Sequence, residues 1–210
     1  MAGKLRDAQR RIERLETLEA PALTAGVVCI DRIVLSTVAE DVEFSSIDQS
    51  FLHLWLWIYA AGTSNGCPML ITFNGDTADN YRHFNVGDER FTSGPDQDVR
   101  FGGTSVDTSI KIAKTGGATS GADNFGACEI NIMNYGRYLN VSVRRSIVWK
   151  SWDYSFVFDE SDLSWVGTRH GGGQWTNVSD PITSILISAG GGLCEFASGS
   201  IFTLMGVCAI

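Results

Sequence analysis

Two hydrophobic periods run along this chain, and they divide it near residue 21. Leu5, Ala8, Ile12 and Leu15 recur at 3-4-3 spacing, Leu18 follows one step later, and charged residues fill the other faces. This is the a/d stripe of an amphipathic helix. Pro21 ends it, because the residue before a proline is pushed out of the helical region. So short a helix is marginal in water, and its stripe has to be buried on its own domain, against other copies of itself, or on another protein. The expectation is a self-associating coiled coil over residues 1–21.

From residue 22 to 210 the period drops to two. Alternating or continuous apolar runs predict strands over residues 27–37, 41–47, 52–61, 69–73, 128–134, 140–149, 165–170, 183–188 and 201–207. Asn65-Gly66, Asn74-Gly75 and Asn134-Tyr135-Gly136 supply the positive-φ residues that hairpin turns need. Short strands at this spacing predict an all-β fold, an antiparallel β-sandwich of jelly-roll-like type. Residues 77–127 read as its loosest part, a loop-rich surface region broken by the short alternation Ile110-Lys111-Ile112.

One predicted strand has no polar side. In Leu52-His53-Leu54-Trp55-Leu56-Trp57-Ile58-Tyr59 one face is aliphatic and the other is His53, Trp55, Trp57 and Tyr59. A wet sheet face rarely carries two tryptophans. The aromatic face is therefore expected to be buried, shared between subunits or covered by a loop, rather than to serve as a ligand platform.

Composition narrows the partners. A formal net charge of −8 argues against nucleic acid or an anionic membrane, since both need a basic face. The longest apolar stretch, residues 51–62, is too short to span a bilayer, and the charged start lacks the apolar core of a signal peptide. Cys29, Cys67, Cys128, Cys194 and Cys208 are scattered without a C-x-x-C pair, so they read as small buried side chains with no disulfide framework and no metal site.

No arrangement in the sequence points to catalysis. There is no G-x-S-x-G elbow, and Gly171-Gly172-Gly173 and Gly190-Gly191-Gly192 lack the Lys-Ser/Thr of a phosphate loop. Asn74 to Asn80 resembles a calcium loop in its oxygens but not in its spacing, and turns account for it. The chain is expected to be no enzyme and to need no cofactor. Trp149, Trp152, Asp153 and Tyr154 have the aromatic and acidic mix of a glycan contact, so a carbohydrate-binding module or a glycan-active sandwich is the competing class.

Four stretches occur together in a familiar order. They are Arg11-Ile12-Glu13-Arg14-Leu15-Glu16 running to Pro21, then Phe73-Asn74-Gly75-Asp76-Thr77 with Asn80-Tyr81, then Pro181-Ile182-Thr183-Ser184-Ile185, and last Phe196-Ala197-Ser198-Gly199-Ser200-Ile201-Phe202-Thr203-Leu204-Met205-Gly206. The set resembles a family of tailed-bacteriophage virion proteins in which a short helix precedes a compact β-sandwich. The ending departs from it, with Met205-Gly206-Val207-Cys208 where Tyr-Gly-Ile is common. The resemblance implies a homotrimeric fibre, spike or capsid decoration, located on the virion and folded in the host cytoplasm. It also implies attachment to other virion proteins through the helix and brings no catalytic residues. Host surface glycan is the expected external contact.

Overall fold

The alternation of the sequence becomes two antiparallel sheets around one core. The computed structural model describes residues 26–64, 67–89, 105–115, 125–136, 145–155, 165–177, 179–190 and 194–208, with backbone only at 85–89, 105–106, 152–155 and 165–169. The strands are β1 (Val27–Val34), β2 (Asp41–Phe44), β3 (His53–Ala60), β4 (Pro68–Phe73), β5 (Tyr81–Glu89), β6 (Ser105–Asp107), β7 (Ile110–Lys114), β8 (Gly126–Met133), β9 (Arg145–Ser155), β10 (Trp165–Trp175), β11 (Ile185–Ala189) and β12 (Ile201–Val207). Eight form a large sheet in the order β1-β12-β3-β8-β9-β10-β5-β6, and four form a smaller one in the order β2-β11-β4-β7.

Most of the strands that line the core send every second residue inward. Leu54, Leu56 and Ile58 of β3 join Ile130, Ile132, Ile147, Trp149, Phe202 and Leu204 on the inner side of the large sheet. Val42, Phe44, Met69, Ile71, Phe73, Ile110, Ile185 and Ile187 come from the small sheet, and all belong to one buried cluster. Two sheets burying one core in this way fit a β-sandwich. The predicted helix over residues 1–21 lies outside the described residues, as does the Asn65-Gly66 turn.

The loosest region of the sequence is more ordered than its composition implied. β5, β6 and β7 all fall between residues 77 and 127, and β5 pairs along its whole length with β10. Strand β10 in turn runs straight through Gly171-Gly172-Gly173 instead of stopping at residue 170. Close packing explains the glycines: a Cβ on Gly171 would lie 2.1 Å from the Trp149 ring, and one on Gly173 would lie 2.9 Å from Ile110 Cδ1.

Two of the four stretches singled out in the sequence, 73–81 and 181–185, meet at one turn. Asn74 (φ 53°) and Gly75 (φ 65°) occupy the two positive-φ positions of a type I′ turn closed by the Asp76 N–H to the Phe73 carbonyl, 2.9 Å. It is not the hairpin expected, because it carries the chain from β4 in the small sheet to β5 in the large one. Asn74 Oδ1 accepts the backbone N–H groups of Thr183 and Ser184 at 2.8 and 3.0 Å, and its amide donates to the Pro181 carbonyl at 2.7 Å. Asp76 accepts from the Trp175 indole, the Ala78 N–H and the Asn80 amide at 2.7, 3.0 and 2.9 Å. Those bonds occupy the carboxylate oxygens that had suggested a calcium loop.

Two buried tyrosines pin neighbouring loops. Tyr81 donates to the Asp76 carbonyl at 2.9 Å and accepts from the Phe73 N–H at 2.9 Å. Tyr135 donates to the Asp48 carbonyl at 2.6 Å and accepts from the Phe51 N–H at 3.1 Å. Burial pushes both hydroxyls up to about 12, against the pull of the N–H bonds they accept.

The cysteines divide in a way the sequence did not reveal. Cys128 and Cys208 are buried thiols and Cys29 is exposed. Cys67 and Cys194, however, form a disulfide across 127 residues of sequence, with Cα atoms 5.7 Å apart. This corrects the expectation of no disulfide. Spacing gave no hint of it, because the sheet topology, not the sequence, brings the two together.

Candidate interaction face

The large sheet has twice the strands of the small one, and its outer face carries the side chains that the core does not take. Cross-strand partners share a face, so the registers fix what lies there. One row reads Arg32, Thr203, Trp57, Glu129, Lys150, His170. The next reads Cys29, Met205, Trp55, Asn131, Val148, Gly172, Phe84. A third begins Val34, Ile201, Tyr59, Ala127. Among the described residues, nine large hydrophobic side chains are exposed, and six of them (Val27, Val34, Trp57, Tyr59, Phe84 and Val148) belong to this face.

An aromatic ridge follows β3. Trp57 and Tyr59 are each 49% exposed, and His53 and Trp55 are half-buried beside them. Trp55 meets Trp57 edge to face at 5.5 Å and donates its indole N–H to Glu129 Oε1 at 3.0 Å. Phe125 stacks on Tyr59 at 4.7 Å. Even with the Trp55 and Phe125 rings against them, Trp57 and Tyr59 stay half-exposed, so the described residues do not supply the burial expected for these two.

A trough runs along β10 on the far side of β8. Gly172 has no side chain, and its register partners Val148 and Phe84 stand 49% and 51% exposed on either side. Phe84, Arg82 and His170 were not singled out from sequence. The alternation Tyr81, His83 inward and Arg82, Phe84 outward was the available signal, hidden by the polar character of that stretch.

The other predicted site residues fall elsewhere. Trp149 is 1% exposed and packs under Gly171, with its indole nitrogen buried and unpartnered, so its ring presents no surface to a glycan. The side chains of Trp152, Asp153 and Tyr154 lie outside the described residues, as do Leu5, Ala8, Ile12, Leu15 and Leu18. No group of three or more His, Cys, Asp or Glu side chains able to hold a metal occurs among the described residues.

Comparison with known proteins adds little to this geometry. No family model and no curated protein matches the chain. Among solved structures, the chain is similar to a protein of unknown function from Shewanella oneidensis MR-1 at 12% identity, covering 89% of this chain and 78% of that one with a TM-score of 0.21. A likeness that slight carries no argument about fold or function.

Proposed function

We propose that the chain is a structural component of a bacteriophage virion: a homotrimeric, jelly-roll-like β-sandwich that serves as a fibre, spike or capsid decoration. In this reading the outer face of the large sheet joins copies of the chain. A helix over residues 1–21, with Leu5, Ala8, Ile12, Leu15 and Leu18 along its seam, adds to that association and attaches the trimer to other virion proteins.

The observation that carries the proposal is the half-exposed ridge of Trp57 and Tyr59 on the outer face of the large sheet. A tryptophan presents roughly 150–250 Å², so covering the open half of one indole is worth about 2–3 kcal/mol at about 25 cal/mol per Å². Three copies whose ridges converge on a three-fold axis supply such cover. Two of the four stretches behind the virion resemblance have a matching role, since Asn74, Asp76, Tyr81 and the 181–185 segment build one hydrogen-bonded turn between the two sheets. They are scaffold residues, as expected of a structural protein.

Immunogold labelling of phage particles whose genome encodes the chain should decorate the particle surface. Recovery of the chain only as free protein in the lysate, with clean particles, would overturn the virion assignment.

A further inference from the structure

We propose that Cys194 is a thiol–disulfide exchange site: the chain folds as a dithiol, and the Cys67–Cys194 bond closes afterwards, when Cys194 exchanges with a small-molecule disulfide of the glutathione class. The inference rests neither on the virion reading nor on self-association through the β3 ridge.

The bond joins two places where the chain crosses between the sheets. Cys67 ends the β3–β4 connection, and Cys194 lies in the β11–β12 connection. Backbone contacts hold these two connections together without help from sulfur. The Thr63 N–H donates to the Glu195 carbonyl at 2.9 Å, and the Glu195 N–H donates to Thr63 Oγ1 at 3.1 Å. The Ala39 and Phe196 N–H groups donate to each other's carbonyls at 3.1 and 2.7 Å, and the Ala197 N–H donates to the Ala61 carbonyl at 2.8 Å. On the other side, the Thr115 N–H donates to the Cys67 carbonyl at 2.8 Å. With their Cα atoms 5.7 Å apart, the two cysteines stand within bridging range. The fold itself therefore presents one thiol to the other.

The two sulfurs differ in access. Cys67 is fully buried, and a Cβ on Gly62 would lie 2.9 Å from its Sγ, so backbone closes over it. Cys194 is part-exposed. Ser64 Oγ lies 3.2 Å from Cys67 Sγ and 3.1 Å from Cys194 Sγ, and the Ser64 carbonyl is 3.2 Å from Cys67 Sγ. In the dithiol the Cys67 S–H thus keeps an acceptor, while the Ser64 hydroxyl donates to the Cys194 sulfur and favours its thiolate. A disulfide arriving from solvent reaches Cys194 alone.

The exchange runs in two steps. Cys194, having given its proton to solvent, attacks glutathione disulfide: a Cys194–glutathione bond forms and one glutathione thiolate leaves. Cys67 then attacks Cys194 Sγ, the mixed bond breaks and the second glutathione thiolate leaves, while the Cys67 proton passes through Ser64 Oγ to water. Each departing thiolate takes up a proton, so two protein thiols are oxidised and one glutathione disulfide is reduced to two thiols.

The test uses the full chain in a Cys29→Ser background, which removes the exposed competing thiol, with glutathione disulfide as the probe. Held in dithiothreitol, this parent should keep its β circular dichroism and unfold cooperatively at a lower temperature than when oxidised. Once the reductant is removed, glutathione disulfide should close the bond in the folded chain, read by mass spectrometry as the loss of the Cys67 and Cys194 thiols to alkylation. Adding Cys67→Ser should leave glutathione trapped on Cys194, whereas adding Cys194→Ser should leave Cys67 without it. Ser64→Ala should close more slowly by about threefold or more. A reduced parent without β structure, a folded dithiol that fails to close, an adduct on Cys67, a bare Cys194 in Cys67→Ser, or Ser64→Ala closing at the parent's rate would each overturn the proposal.

Discussion

Asp76 shows how a polar side chain can hold a fold from within a turn. Burial alone would raise its pKa, but the bonds from Trp175, Ala78 and Asn80 outweigh it and hold the carboxyl below the usual value of 3.8. A depressed folded pKa contributes stability above the unfolded value, and that contribution is lost as pH falls through the folded one. Asp76→Ala should therefore cost about 2–3 kcal/mol in urea unfolding at neutral pH, with the gap to the parent shrinking below about pH 4. The tyrosines act at the other end of the scale. Their pKa values are raised from 10.0 to about 12, so stability present below pH 10 is lost as pH rises toward 12. Tyr81→Phe should cost about 1–3 kcal/mol at neutral pH, because the buried Phe73 N–H loses its acceptor. A Tyr81→Phe, Tyr135→Phe double variant should flatten the alkaline decline, which a urea midpoint series against pH would record. Asn74-Gly75 was legible in the sequence as a positive-φ pair. Its partners were not, since Pro181 and Thr183 lie more than a hundred residues away.

At the level of elements, strands with strong apolar alternation were legible and those padded with glycine or charge were not. β3, β4, β11 and β12 sit within a residue or two of their predicted bounds. β5 was lost because Arg82, His83, Asn85 and Asp88 mask its alternation, and β10 was cut short because three glycines read as a break. The structure gives those glycines unequal importance. The Gly171 Cβ position overlaps the buried Trp149 ring, whereas that of Gly172 meets the movable end of the exposed Phe84. Gly171→Ala should cost about 3 kcal/mol or more and Gly172→Ala under about 1 kcal/mol in the same unfolding assay. The Cys67–Cys194 disulfide was beyond the reach of spacing, because a bond spanning 127 residues is set by topology. On the chain-entropy account, a loop that long is worth up to about 5 kcal/mol. Cys194→Ser, or the parent in reductant, should accordingly unfold at a markedly lower temperature in calorimetry.

For the whole molecule, the all-β class with two antiparallel sheets was readable from period and turns, and the aromatic side of β3 from its sequence alone. What no single-chain pattern reveals is which sheet face another molecule covers. The row His53, Trp55, Trp57 and Tyr59 lies outward on the larger sheet, with Trp57 and Tyr59 its most exposed members. Self-association through that surface is the central claim, and sedimentation equilibrium at micromolar concentration tests it most directly. The parent should sediment at three times the chain mass, and Trp57→Ala, folded by circular dichroism, should shift toward the monomer. A monomeric parent, or a Trp57→Ala variant as trimeric as the parent, would contradict the account.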